Sequence, residues 1–248
     1  MTSPLLRVGG LTPLTSLDYP GELAAVIFCQ GCPWRCGYCH NPDLLPARGP
    51  HPVAWGQVMD FLRRRQGLLD AVVFSGGEPT RQRALGAAMA EVRSLGFRIG
   101  LHTAGIYPRH LAALLPQLDW VGLDIKALPA DYPALTGVPA SGVRAWWSLR
   151  LLLASGITLE VRTTLDPRGE FTSSSPARDG DFDSRVTTLM YRLAAAGVRR
   201  YALQFARGRS GPLGPPLSLR PDPAQSADAP ANAYERLGPT LFPHFELR

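Results

Sequence analysis

The chain has 248 residues, of which 45% are hydrophobic, and a net charge of +6 at neutral pH. This length and composition suffice for one substantial hydrophobic core, and α/β barrels of this size commonly form one domain. The sequence contains no run of about 18 apolar residues, so no membrane-spanning helix is predicted. No module of interleaved aromatic and basic residues predicts binding to nucleic acid.

The compartment is predicted from the N-terminal residues and from the cysteines. The first residues lack a long apolar stretch with a cleavage site, so secretion is not expected. All four cysteines lie between Cys29 and Cys39, a distribution typical of a metal site and not of a disulfide framework. We therefore expect a cytoplasmic protein.

Apolar runs alternate with helical stripes along most of the chain. Predicted strands cover about residues 23–29, 71–74, 97–102, 120–125, 157–162 and 199–204. Helical patterns fall within about residues 53–65, 85–92, 108–115, 143–154 and 186–193. This alternation predicts an α/β fold with a parallel sheet, an incomplete (β/α)6 TIM-like barrel with a short N-terminal extension over residues 1–22.

The composition changes at Arg207. Eight of the 24 prolines fall in the last 42 residues, among serine, alanine and glycine. We predict a partial barrel domain over residues 1–206 and a mobile, proline-rich tail over residues 207–248. The apolar segment 241–247 is expected to dock on the body beside the N-terminal strand.

Three cysteines follow the first predicted strand in the pattern C-x3-C-x2-C, namely Cys32, Cys36 and Cys39. Thiolates in this arrangement suit an iron–sulfur cluster, and three ligands leave one iron open. With Cys29 the run has four cysteines, so a zinc site or a fully ligated cluster is the alternative. Zinc sites built from two CxxC pairs usually separate them by about 15–20 residues, which favours three ligands and an apolar role for Cys29.

The ends of the next four predicted strands carry glycine or polar residues. They are Gly76, Gly77 and Glu78, then His102 and Thr103, then Asp124 and Lys126, and finally Arg162. Alone, a Gly-Gly turn is typical of a tight connection, and an Asp–Lys pair is typical of a structural ion pair. Because the carboxyl ends of parallel strands meet at one edge, their agreement predicts a site there.

Lysine occurs once among the 26 basic residues, at Lys126. A compact ammonium group does not replace a planar guanidinium at a tightly built site. The single lysine lies at one of these strand ends, so we predict that it has a function and is not an accident of composition.

These motifs together resemble a known family. The cysteine pattern with Tyr38, followed by Gly76-Gly77-Glu78-Pro79, resembles the radical S-adenosylmethionine superfamily. Segments 28–42, 75–80, 124–126 and 162–164 resemble, more narrowly, the anaerobic ribonucleoside-triphosphate reductase activating proteins, which are relatives of the pyruvate formate-lyase activating enzyme. The resemblance covers roughly residues 14–205.

The resemblance implies a [4Fe–4S] cluster on the three cysteines, with S-adenosylmethionine on the open iron. Gly76, Gly77 and Glu78 would contact the methionine amino group, with Tyr38 near the adenine. Lys126 and Arg162 would meet the methionine carboxylate. Thr103 and Asp124 complete the implied cofactor-binding residues.

One residue departs from the pattern of the pyruvate formate-lyase activators. Those relatives carry an Asp that helps to hold a monovalent cation where this chain has His102. An imidazole therefore replaces a hard oxygen ligand, which puts the cation site in question.

The implied reaction is reductive cleavage of S-adenosylmethionine to a 5′-deoxyadenosyl radical, which abstracts hydrogen from a glycine of a partner enzyme. The expected partner is an anaerobic ribonucleoside-triphosphate reductase, and the expected electron donor is an acidic flavodoxin or ferredoxin. Two alternatives stay open. One is a radical enzyme acting on a small molecule, such as a deazapurine carbocycle synthase. The other is a non-catalytic four-cysteine metal-binding or electron-transfer protein.

Overall fold

The computed structural model of the chain describes residues 6–49, 52–165, 179–206 and 230–248. These residues form two compact units. The first contains the chain up to Trp34, Asn41–Leu123 and Arg144–Leu159. The second contains Arg35–His40, Asp124–Val143 and Glu160–Arg248.

The first unit is built on five strands that follow chain order. The strands are β1 (Val8–Thr15), β2 (Ala24–Cys29), β3 (Ala71–Gly76), β4 (Arg98–Thr103) and β5 (Trp120–Asp124). β1 is antiparallel to β2, and the pairs from β2 to β5 are parallel. The helices between them are α1 (Trp55–Arg63), α2 (Leu85–Ser94) and α3 (Pro108–Leu114).

An aromatic cluster fills one face of these strands. Tyr19, from the loop between β1 and β2, stacks on Trp120 with ring centroids 5.1 Å apart, and both pack on Val26 and Val73. Gly100 makes room, since a Cβ there would lie 3.0 Å from the Tyr19 ring. Because side chains alternate along a strand, the next residues on this face are Phe28 on β2, Ser75 on β3 and His102 on β4. Phe28 packs against the cluster, and the other two are polar.

The second unit contains three parallel strands, β6 (Thr158–Leu165), β7 (Arg200–Phe205) and β8 (His244–Leu247). Its helices are α4 (Tyr132–Thr136), the start of α5 (Ser141–Ser155), α6 (Asp179–Ala195) and α7 (Pro230–Leu241). Gly137 ends α4 in the left-handed conformation, at φ 69°, which glycine adopts without strain.

The predicted fold class is confirmed as α/β with a mostly parallel sheet. Among the described residues, the first unit has the antiparallel pair β1–β2 and parallel pairs from β2 to β5, and the second has parallel pairs from β6 to β8. All six predicted strands are present, within a few residues of the predicted bounds. No helix in the described ranges is long and apolar enough to cross a membrane.

The end of the chain differs from the expectation. Residues 230–248 form α7 and β8, so this part of the predicted tail is folded, whereas residues 207–229 lie outside the described residues. The expected position of segment 241–247 is wrong, because β8 pairs in parallel with β7 and not with the N-terminal strand. The second unit thereby gains a strand that the sequence pattern did not predict.

Candidate active site

The chain leaves β2 at Cys29 and turns outward at Cys32. Gly31 N–H donates to the Leu44 carbonyl at 2.7 Å, and Cys32 N–H donates to the Leu45 carbonyl at 3.0 Å. These two bonds hold the start of the cysteine loop on the short 3-10 turn at residues 42–44. Cys32 is partly exposed.

Cys29 is fully buried, with 0% of its surface exposed. Burial raises the pKa of its thiol, and the nearby Glu78 carboxylate raises it further. A neutral thiol in the core is a poor metal ligand because the thiolate is the form that binds. The structure therefore favours the apolar role predicted for Cys29.

Two buried amides that the sequence analysis missed support the same loop. Gln30 Nε2 donates to the carbonyls of Asp43 and Pro46, at 3.0 and 2.8 Å. Gln82 Nε2 donates to the carbonyls of Gln30 and Arg7, at 3.1 and 2.8 Å. Gln30 lies in segment 28–42, which carries the family resemblance, but no pattern in the sequence predicted these contacts of either glutamine.

The Gly76-Gly77 pair lets the loop after β3 lie against the cysteine loop. Gly77 N–H donates to the Cys29 carbonyl at 2.9 Å, and Glu78 N–H donates to the Gly31 carbonyl at 3.0 Å. A Cβ on Gly77 would lie 2.8 Å from the Gly31 oxygen, closer than van der Waals contact allows. Gly76 has φ 113°, a conformation that other residues rarely adopt.

The Glu78 side chain is fully buried and joins the ends of β3 and β4. Its Oε1 accepts from the Thr80 N–H at 3.0 Å, from the Thr80 hydroxyl and from the Thr103 hydroxyl at 2.7 Å. Its Oε2 accepts from the Ala104 N–H at 3.0 Å. Burial raises the pKa of Glu78, although these hydrogen bonds oppose the rise. The side chains of Glu78 and Thr103 thus hold two loops together, and their contact with a cofactor stays a prediction.

His102 connects β4 to the loop between β1 and β2. Its Nε2 lies 2.7 Å from the Asp18 carbonyl, and its Nδ1 lies 3.4 Å from the Ser75 hydroxyl. Because a carbonyl can only accept, Nε2 carries the hydrogen. The imidazole edge also contacts the ring of Trp120, with centroids 5.3 Å apart.

In the second unit, Cys36 and Cys39 share one turn, in which Cys39 N–H donates to the Cys36 carbonyl at 3.1 Å. The preceding Arg35 N–H donates to the Thr136 carbonyl at the end of α4. Both thiols are free and partly exposed. Burial raises the pKa of Cys36, and the Lys126 ammonium opposes that rise.

Lys126 lies just beyond β5 in a charged and aromatic environment. Its Nζ is 3.1 Å from Asp124 Oδ2 and 5.5 Å from the centroid of the Tyr38 ring. Its backbone N–H donates to the Tyr132 hydroxyl at 2.8 Å. Burial alone would lower the pKa of Lys126, but the Asp124 carboxylate outweighs it and raises the pKa, so the ammonium stays charged. The Asp124–Lys126 ion pair, the structural alternative given for these two residues, is present.

Arg162, on β6, faces the buried carboxylate of Glu160. Its Nε lies 2.9 Å from Glu160 Oε1, so the two side chains form an ion pair. The Nε–H bond of Arg162 does not point at that oxygen and makes no hydrogen bond with it. Arg248 approaches the same carboxylate, with Nη1 3.3 Å from Oε1 and Nη2 3.4 Å from Oε2. Neither Glu160 nor Arg248 was singled out from the sequence.

The donor set can be compared with the needs of an iron–sulfur cluster. Within the residues that the structure describes, no three His, Cys, Asp or Glu side chains are placed so that they could hold a metal ion together. The three partly exposed thiols fit a cluster that takes three protein ligands, since cysteine is the usual ligand and none is lost to a disulfide. The fit rests on the chemistry of these residues, and the ligand set stays a prediction.

Comparison with known proteins identifies relatives along most of the first three quarters of the chain. Residues 26–168 match the model of the Radical SAM superfamily. The chain is 30% identical over 170 residues to a Methanocaldococcus jannaschii protein provisionally named a glycyl-radical enzyme activating enzyme, covering 65% of this chain and 69% of that protein. It is 31% identical over 137 residues to the pyruvate formate-lyase-activating enzyme of Clostridium pasteurianum, covering 53% and 57%. The chain thus spans little more than half of that enzyme.

Similar solved structures support the fold alone. SuiB of Streptococcus suis superposes with a TM-score of 0.55 at 15% identity, covering 73% of this chain and 39% of that chain. A mutant of spore photoproduct lyase superposes with a TM-score of 0.56 at 14% identity, covering 88% and 74%.

Gly77→Ala tests the contact between the two loops. The new Cβ would overlap the Gly31 and Leu44 carbonyls, and we expect the free energy of unfolding to fall by about 1–3 kcal/mol. Gly56→Ala is the matched control, because nothing lies within 4 Å of a Cβ there. That change should leave the stability unchanged or raise it by up to about 1 kcal/mol. Equal stabilities of the two variants in urea denaturation would contradict the close contact.

Proposed function

The chain belongs to the radical S-adenosylmethionine superfamily and to its glycyl-radical enzyme activating enzymes, and we propose that it activates an anaerobic ribonucleotide reductase. Members of this superfamily use a [4Fe–4S] cluster and S-adenosylmethionine, which are therefore its cofactors. The partner is inferred from the resemblance of the cysteine loop and the strand-end motifs to the activators of that reductase.

The observation that carries the activity is the division of the four cysteines. We assign the cluster to Cys32, Cys36 and Cys39, which are partly exposed and not held in a disulfide, and exclude the buried Cys29. When bound, the cluster would pass on the electron that cleaves S-adenosylmethionine. The resulting 5′-deoxyadenosyl radical would take a hydrogen atom from the partner's glycine. The residues of the chain bind, orient and shield these groups.

Lys126 is assigned to the methionine carboxylate. Its ammonium is charged, largely buried and oriented by Asp124 at 3.1 Å, so it can form a charge-assisted hydrogen bond. Tyr38 lies beside that ammonium and is assigned to the adenine. Arg162 is assigned to the same carboxylate. Gly76 and Gly77 are assigned to the methionine amino group, which their backbone atoms can approach because glycine has no side chain.

The electron donor is proposed to be a reduced flavodoxin or ferredoxin. The chain carries a net charge of +6, and a basic protein attracts an acidic redox partner over distances of about a Debye length. Raising the ionic strength should accordingly slow reduction.

Serine substitutions test the ligand assignment. Cys32→Ser, Cys36→Ser and Cys39→Ser should each abolish the [4Fe–4S] absorbance and the cleavage of S-adenosylmethionine, because a hydroxyl does not replace a thiolate ligand. Cys29→Ala is the control, and it should keep both, with iron content measured alongside. Loss of the cluster in Cys29→Ala, as complete as in the other three, would refute the three-ligand assignment.

Lys126→Arg and Lys126→Met test the lysine. The arginine variant should bind S-adenosylmethionine more weakly despite its charge, because a planar fork does not fit where a compact ammonium does. The methionine variant should lose about 1.5–3 kcal/mol of binding free energy for S-adenosylmethionine, the value of a hydrogen bond to a charged group. Arg63→Met, which removes an exposed ion pair with Asp60, serves as the control. Titration of the cluster spectrum measures affinity, and unchanged affinity in both Lys126 variants would exclude the role.

The proposed partner is tested by incubating the reduced, cluster-containing protein with S-adenosylmethionine and an anaerobic ribonucleotide reductase. We expect little deoxyadenosine from the protein alone, much more with the reductase, and a stable glycine-centred doublet in the electron paramagnetic resonance spectrum. The matched control is a reductase whose radical-bearing glycine is replaced by alanine. Rapid cleavage coupled to a small metabolite, with no radical on the reductase, would favour the small-molecule class instead.

A further inference from the structure

One face of the three strands of the second unit is charged. Parallel strands are usually apolar on both faces, but Glu160 and Arg162 lie on the same face of β6 by strand alternation. The register continues from Arg162 to Ala202 on β7 and from Ala202 to Glu246 on β8. Arg248 follows Glu246 on that face, and its backbone bonds to Leu203 and Phe205 continue the ladder.

The Glu160 carboxylate is the centre of this row. Only 2% of the Glu160 side chain is exposed, so its charge needs partners within the protein. Arg162 Nε lies 2.9 Å from Oε1, while Arg248 places Nη1 and Nη2 at 3.3 and 3.4 Å from the two oxygens. On β7, between β6 and β8, the residue level with Arg162 and Glu246 is Ala202, whose side chain is a single methyl group.

The charges of this trio do not cancel. Glu160 with Arg162 alone would be a neutral pair, and the second guanidinium of Arg248 gives the three side chains one net positive charge. Glu246 bonds to the same guanidinium and lies closer to it than Glu160 does, but 58% of the Glu246 side chain is exposed, so water and salt weaken its effect. Arg248 therefore offsets, in the buried part of this row, the carboxylate that lies beside Arg162.

We propose that Glu160 and Arg248 are positioning residues, which fix the guanidinium of Arg162 where it receives the carboxylate of S-adenosylmethionine. This rests on the proposed role of Arg162. Glu160 holds the guanidinium close through the 2.9 Å ion pair, and Arg248 anchors Glu160 from β8. The last strand of the chain, which the sequence analysis expected to be a tail, would thereby act on cofactor binding.

A purely structural ion cluster between β6 and β8 would behave differently. Its loss would lower stability and leave the affinity of the folded protein unchanged. A positioning role predicts weaker binding of S-adenosylmethionine in a protein that is still folded, with KM raised and kcat retained. It also predicts that Arg248 acts only through Arg162.

The test measures binding of S-adenosylmethionine by equilibrium dialysis to the cluster-containing protein, together with the melting temperature. Arg248→Met should weaken binding about 10-fold, similar to the loss of an outer partner of a metal ligand, and Arg248→Lys should restore part of the loss. Arg162→Met should weaken binding more, and the double variant no further than Arg162→Met alone. Arg93→Met is the matched control, because Arg93 pairs with Asp119 at 2.7 Å and is 43% exposed.

The outcomes separate this inference from the function on which it rests. If Arg162→Met binds normally, the role proposed for Arg162 fails and the inference fails with it. If Arg162→Met binds weakly but Arg248→Met and Glu160→Gln bind like the Arg93→Met control, only the inference is overturned. Additive losses in the double variant would also overturn it, since Arg248 would then act independently of Arg162. If Arg248→Met does not fold, the same comparison is made with Glu160→Gln, where normal affinity overturns the inference.

Discussion

The first unit depends on a fully buried carboxylate, that of Glu78. An unpaired buried charge would be costly, and Glu78 avoids that cost by accepting four hydrogen bonds from Thr80, Thr103 and Ala104. The bonds fix the end of β3 to the end of β4. Because Glu78 also donates its backbone N–H to Gly31, the same residue fixes the loop that leads to Cys32. One buried group therefore determines where three chain segments lie.

The second unit relies on compensation between charges instead. Burial opposes the ammonium of Lys126, and the Asp124 carboxylate at 3.1 Å restores it. Glu160, likewise buried, has two guanidiniums beside it, those of Arg162 and Arg248. In both places a buried charge is tolerated because its partner is close and fixed by a strand. Such preorganised charges need not rearrange when an anion binds, which favours affinity.

Part of this arrangement could be predicted from local pattern. Parallel strands produce apolar runs, so the six strands were found, and the rarity of lysine drew attention to Lys126. β8 was not predicted because it is only four residues long and follows Pro243. The contact between Glu160 and Arg248 was not predicted because 88 positions separate them in the chain. The contacts of Gln30 were not predicted because no pattern in the sequence indicates them. Contacts between distant residues leave no periodic signal, so only the folded chain identifies them.

The four cysteines illustrate how position decides the chemistry of one residue type. Their spacing alone allowed a four-ligand site that includes Cys29. In the structure, burial raises the pKa of both Cys29 and Cys36. The Glu78 carboxylate raises the pKa of Cys29 further, whereas at Cys36 the Lys126 ammonium opposes the rise, and Cys39 and Asp124 add to it. A cluster ligand must be a thiolate, and Cys29 could become one only by placing a second negative charge beside the carboxylate that fixes the loops. Full burial separates Cys29 from the three partly exposed cysteines and favours the three-ligand set.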